Sequence, residues 1–235
     1  MALTLAQQNQ LRKRAAQEAA AAAPAALMAG ATGYEVQMAK MQQDQLRLSN
    51  LQSTEAKAQL KAQLLPEYEP YIAGVLESGK GAQDDVVVTV MLWRFDAGDF
   101  VGGLQVAGYV LEHKLKMPDR FNRTTGCVVA EEVAEAALKA IKAGGTFDPA
   151  VLEQARQLTA DEDMPDQVRA KLHLALGKLA FKAVDSEKVD AIALENLATA
   201  KAQFTRAIEL NDMCGGKTDL ATVERLLKKH AGTAS

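Results

Sequence analysis

Four aspartates, Asp84, Asp85, Asp96 and Asp99, fall within one short stretch of the 235-residue chain. Carboxylates brought together can hold Mg2+ and activate water for phosphodiester cleavage. Lys80 and Arg94 stand in the same stretch and could steady a phosphate. The same residues also read as architecture. Adjacent Asp84 and Asp85 cannot share one helix face, either is a sound helix cap, and Asp96 with Asp99 suits the solvent corner of a hairpin. Other catalytic chemistries lack their residues. Gly79-Lys80-Gly81 has neither the spacing nor the following Ser or Thr of a Walker loop. The dinucleotide Gly pattern, the serine-hydrolase elbow and the zinc-protease helix are absent. Cys127 and Cys214 stand far apart, with only His113, His173 and His230 to accompany them, so no zinc-ligand spacing exists. No cofactor is therefore expected in this chain, Mg2+ entering only with the nuclease reading. The two isolated cysteines suit a reducing compartment, and one structural disulfide is the alternative.

A second chemistry is phosphate contact. Its candidates are Arg12, Lys13, Arg14, Lys40, Arg47, Lys57 and Lys61, with Arg120, Asn122 and Arg123 in a polar loop as a second patch. The whole chain carries a net charge of -3, which excludes a uniformly basic nucleic-acid binder. The charge is uneven, however. Residues 1–65 are net +3, residues 66–163 net -8 and residues 164–235 net +2. Contact with DNA is expected on an end of the chain, and repetition in an oligomer would multiply a modest charge. No helix-turn-helix signature is visible.

The elements that must position these residues read as helices. Hydrophobic residues make up 48% of the chain, glycine, proline and aromatics are modest, and Ala, Leu, Gln, Lys and Glu recur in long stretches. Residues 1–33 are expected to be a flexible arm able to form an alanine-rich helix. A long helix is predicted over residues 34–65, ended by Pro66, with Tyr34, Met38, Met41, Leu48 and Leu51 as an oligomer-facing stripe. An intrachain amphipathic helix is the alternative for that stripe. A central helical domain over residues 66–163 follows. The run Val86, Val87, Val88, Val90 has strand propensity, but a helical hairpin with residues 104–115 fits it better. Residues 164–235 read as a helical tail. There Gly177, Phe181, Ala200, Phe204, Ala207 and Leu210 resemble one degenerate tetratricopeptide pair, a partner-binding module anchored by Phe181, Phe204 and Leu210. The fold class expected is all-α. Neither a signal peptide nor a membrane span is expected.

Residues 74–85, Gly-Val-Leu-Glu-Ser-Gly-Lys-Gly-Ala-Gln-Asp-Asp, are followed at 90–99 by Val-Met-Leu-Trp-Arg-Phe-Asp-Ala-Gly-Asp. With Tyr109, Met117-Pro118 and the segment 164–172, this run resembles the small terminase subunit of P2-like tailed bacteriophages. The resemblance implies DNA packaging in the cytoplasm of the infected bacterial host. It implies a homo-oligomeric ring that recognises phage double-stranded DNA and presents it to a large terminase subunit carrying the ATPase. The P2-like group labels this chain the endonuclease subunit, although the nuclease site of tailed phages generally lies in the large subunit. Members of the family carry a basic C-terminal tail, whereas this chain ends soon after Lys228 and Lys229, which points DNA contact to the N-terminal third. Two other readings stand beside this one. In one, the chain is itself an Mg2+-dependent endonuclease cutting cohesive ends. In the other, it is a helical scaffold that binds only protein.

Overall fold

The computed structural model describes residues 3–24, 26–28, 30–118, 123–185 and 190–231. Among the described residues there are ten α-helices and no strand, with one isolated bridge between Leu27 and Gln83. The chain is all-α, as its composition predicts. No helix among the described residues is long and apolar enough to cross a membrane. The chain divides into two compact units, residues 1–125 and 126–235.

The first unit holds α1 (Leu5–Ala21), α2 (Thr32–Ser49), α3 (Thr54–Ser78), α4 (Asp85–Asp96) and α5 (Phe100–Glu112). Its centre is α4, where every residue from Val86 to Trp93 is buried. A helix buried on all sides needs no amphipathic pattern. That is why the valine run forms a helix despite its strand propensity. Asp84 starts it, accepting from the backbone N–H groups of Val86 and Val87 at 3.0 Å each. Around α4 pack α2, α3 and α5. From α3 come Leu64, Leu65, Tyr68, Tyr71, Ile72 and Val75.

Three expectations change here. The segment 34–65 is not one helix. It breaks at 50–53, where Asn50 ends α2 and Ser53 caps α3 by accepting from Ala56 N–H at 3.2 Å. A polar cap next to a polar turn competes with helix continuation. Nor does Pro66 end a helix. Pro66 and Pro70 both lie inside α3. An interior proline costs about 3 kcal/mol. The four-residue spacing puts both lost bonds on one side of the helix, facing a cavity of about 610 Å³ whose lining includes Gln8, Arg12, Arg94 and Asp99. Finally, the N-terminal segment rests on its own chain. Ala15 and Ala19 are buried. The backbone of α1 also runs so close to α3 that a Cβ on Gly74 would lie 2.3 Å from the Arg12 carbonyl oxygen.

The second unit holds α6 (Thr125–Lys142), α7 (Pro149–Leu158), α8 (Asp166–Lys182), α9 (Ala191–Leu210) and α10 (Lys217–Ala231). Leu174, Leu197, Ala200, Phe204, Ala207 and Val223 form a core between α8, α9 and α10. The Phe204 ring sits on Gly177, where a Cβ would come within 2.7 Å of it. Small residues do let two helices approach, as the spacing predicts. A tetratricopeptide array needs a stack of such pairs, and residues 166–210 supply one.

Candidate nucleic-acid interface

The four aspartates are placed apart. Asp84 and Asp85 stand at the N-terminus of α4, and Asp96 and Asp99 lie at or beyond its C-terminus, so about 18 Å of a 12-residue helix separates the pairs. Asp84 is nearly inaccessible and serves as the cap of α4, with the Tyr71 hydroxyl donating to Oδ2 at 2.6 Å. Burial pushes its carboxyl up to about 6, against three donors that favour the charged form. Asp85 is exposed and accepts from the Gln83 amide. Asp96 pairs with Lys61. Asp99 caps α5 through Gly102 N–H and pairs with Arg94, which also holds Glu69. Among the described residues, no group of three or more His, Cys, Asp or Glu is placed to hold a metal ion.

Most of the basic candidates are held within the chain. Arg12 pairs with Glu77, Arg14 with Glu18 and Lys61 with Asp96. Lys40 and Arg47 converge on Asp44, a buried carboxylate that also accepts from the Tyr68 hydroxyl at 2.7 Å. Burial alone would raise the Asp44 carboxyl. The bonds from Lys40, Tyr68 and Arg47 outweigh it and hold the group below the usual range. Lys40 also lies 4.1 Å from the Tyr68 ring centroid and pairs with Glu67. Lys13 and Lys57 have no ion pair among the described residues. Of the second patch, Arg120 and Asn122 lie outside the described residues, and Arg123 has partners of its own.

The helix stripe turns inward. Met41 and Leu48 are 1% and 7% exposed, and Tyr34, Met38 and Leu51 are half-buried. The large apolar side chains that α2 leaves in solvent are Val36 and Leu46. In the second unit, Phe204 is interior and therefore not a surface anchor. Phe181 and Leu210 are half-buried, and Phe181 lines a groove of about 480 Å³ with Ile141, Val184, Leu226 and Arg225.

A basic corner emerges in the first unit that sequence spacing does not reveal. The loop 79–83 folds against the C-terminus of α5. Gly81 N–H donates to the Tyr109 hydroxyl at 3.1 Å, and the Tyr109 and His113 rings meet at 4.5 Å. A Cβ on Gly79 would strike the Tyr109 hydroxyl, and one on Gly81 would strike His113. The Gln83 amide clamps Lys116, accepting from its N–H at 2.8 Å and donating to its carbonyl at 3.1 Å. Lys80, Lys114 and Lys116 are exposed at this corner, none with a partner for its ammonium group among the described residues.

Lys114 is the residue just past the end of α5. Its N–H donates to Leu111 O, and Leu115 N–H donates to Val110 O, a Schellman closure. That position requires a left-handed backbone, and Lys114 has φ 54, the one positive φ outside glycine among the described residues. A lysine there costs about 1–2 kcal/mol. A cation at a helix C-terminus regains about 0.3–1 kcal/mol. The signals legible beforehand were the two glycines around Lys80 and the Lys-Leu-Lys run at 114–116. Their adjacency was not.

Residues 38–167 match the model of the phage small terminase subunit family. Over 204 residues the chain is 43% identical to the terminase, endonuclease subunit of Escherichia phage P2, covering 87% of this chain and 78% of that protein. The chain belongs to the phage small terminase subunit family. It is also 26% identical over 156 residues to the probable terminase, endonuclease subunit of Haemophilus phage HP1, covering 65% of this chain and 55% of that one. No solved structure matches. The part of the chain that matches the small terminase family runs from α2 to the start of α8. It includes the α4/α5 hairpin and the whole basic corner.

Proposed function

We propose that this chain is the DNA-recognition subunit of a phage packaging machine, acting in the cytoplasm of the infected host. It binds phage double-stranded DNA as a homo-oligomer and delivers it to the large terminase subunit. The observation that carries this reading is the 43% identity to a phage terminase subunit across most of both chains. Two features support its parts. Val36 and Leu46 on α2 offer apolar surface for a second copy. The groove around Phe181 offers an apolar seat for a protein partner. Of the cations at its edge, Lys178 is paired with Asp219 and Lys182 is bonded to the Gly144 and Gly145 carbonyls, which leaves Arg225 as its basic contact. Weak phosphate contacts in each subunit add up when several subunits share one duplex.

The test is native mass spectrometry of the full chain with and without its own phage's end sequence. A multimer that binds this DNA more tightly than unrelated duplex, and that captures the large subunit, is expected. A monomer with no DNA affinity at low salt would overturn the reading. The phage P2 relative is a terminase endonuclease subunit by name, which favours a second reading, cutting by this chain itself. Nicking of end DNA in Mg2+ by the chain without its large subunit would establish that reading.

A further inference from the structure

We propose that the corner formed by the Gly79-Lys80-Gly81 loop and the C-terminus of α5 is a phosphodiester-binding site, in which Lys80, Lys114 and Lys116 grip the backbone of duplex DNA. The proposal rests on the DNA-recognition reading and gives it an address. Its first support is selectivity in pairing. The fold ties Arg12, Arg14, Lys40, Arg47, Lys61 and Arg94 to its own carboxylates. Lys13 on α1 and Lys57 on α3 are left without an ion pair among the described residues too, but Lys80, Lys114 and Lys116 are the three such ammonium groups gathered at one corner. The second is rigidity. Gly79 and Gly81 lie too close to Tyr109 and His113 for any side chain, so Lys80 is held on a fixed ledge. The Gln83 amide uses both of its ends on the Lys116 backbone, which fixes that position too. The third is strain. Lys114 occupies a left-handed position that glycine would fill without penalty. A strained residue at a surface corner points to a role for its side chain.

The corner positions DNA and does not read it. Lysine is a compact charge without the fork that recognises a guanine edge. Asp85 and Glu112 border the site, Asp85 bonded to Gln83 and Glu112 exposed. They temper the local charge, so the grip is weak in one subunit and strong only in an assembly.

The experiment measures binding of the full-length protein to a short labelled duplex across a salt series. It compares wild type with Lys80→Ala, Lys114→Gly and Lys116→Ala, singly and together. The triple variant is expected to lower the slope of log affinity against log salt by up to about 3 for each subunit that engages the duplex and to weaken binding about tenfold or more at moderate salt. Lys114→Gly alone is expected to weaken binding while raising the melting temperature. A misfolded variant cannot produce that opposite pair of changes. If wild type binds and the triple variant binds with the same affinity and slope, the corner is not the site, and the recognition reading stands. If wild type fails to bind duplex even at low salt, the recognition reading itself falls. A triple variant that keeps DNA affinity but loses the large terminase subunit would assign the corner to an acidic protein surface and overturn the proposal.

Discussion

At the residue scale, Asp84 is the group whose chemistry and architecture conflict most. It caps α4 from an almost fully buried position. Its carboxyl, pushed up to about 6 by burial, lies above its ordinary value of 3.8. The native state therefore keeps a proton that the unfolded chain has already released. The stabilisation is complete below the unfolded value and is lost as pH rises through about 6. The amount is on the order of 3 kcal/mol. Urea melts at several pH values test this directly. Asp84→Asn keeps a cap without a charge, so it should abolish the loss of stability between about pH 4 and 6. Parallel wild-type and Asn curves would show that Asp84 does not titrate in this way. Asp84→Ala should cost about 1 kcal/mol for the cap and about 1–3 kcal/mol more for the stranded Tyr71 hydroxyl. The capping role of Asp84 was legible from its place before an apolar run. Asp44 was not. A mid-helix aspartate between Lys40 and Arg47 reads as a solvated face, and only its burial beside Tyr68 shows otherwise.

At the element scale, helix termini were harder to read than helix existence. The α4/α5 hairpin and the α8/α9 pair follow from spacing and small residues. Pro66 misleads because proline breaks a helix only when nothing else secures it, and α3 is secured by Tyr68, Tyr71 and Ile72 on its other side. The α1/α3 seam has no strong sequence signal, since its contacts are alanine and glycine. It should nevertheless be stiff. Glycine to alanine inside a helix normally gains about 1 kcal/mol. At Gly74 the new methyl meets a backbone carbonyl that cannot turn aside, so Gly74→Ala should destabilise by about 1–3 kcal/mol. Chemical denaturation reads the sign, and a stabilised variant would mean that α1 shifts freely on α3. Gly177→Ala should act the same way against the Phe204 ring.

For the whole molecule, net charge conceals a division of labour. The N-terminal third has a basic excess, but five of its seven cations hold carboxylates of their own unit. Arg12→Ala and Arg47→Ala should therefore leave the salt dependence of DNA binding unchanged. Arg12→Ala should cost under about 1 kcal/mol of stability, as an exposed pair does, and Arg47→Ala about 1–3 kcal/mol, since it strips a donor from the buried Asp44 carboxylate. An unchanged slope in a filter-binding or anisotropy series is the expected result. A drop of about 1 for either variant would return that arginine to the interface. Counting charges by segment correctly located an uneven distribution. It could not show which charges were already satisfied, because that depends on contacts between distant residues such as Arg12 and Glu77. The α1/α3 seam also sets a timetable for synthesis. α1 leaves the ribosome well before Gly74 has been added, and at about 5–20 residues per second it waits some seconds for its seat. An alanine-rich helix of 17 residues is only marginal alone. In a host making many copies at once, a neighbouring chain could occupy that seat first, and exchange of α1 between nascent subunits is the failure this design must outrun.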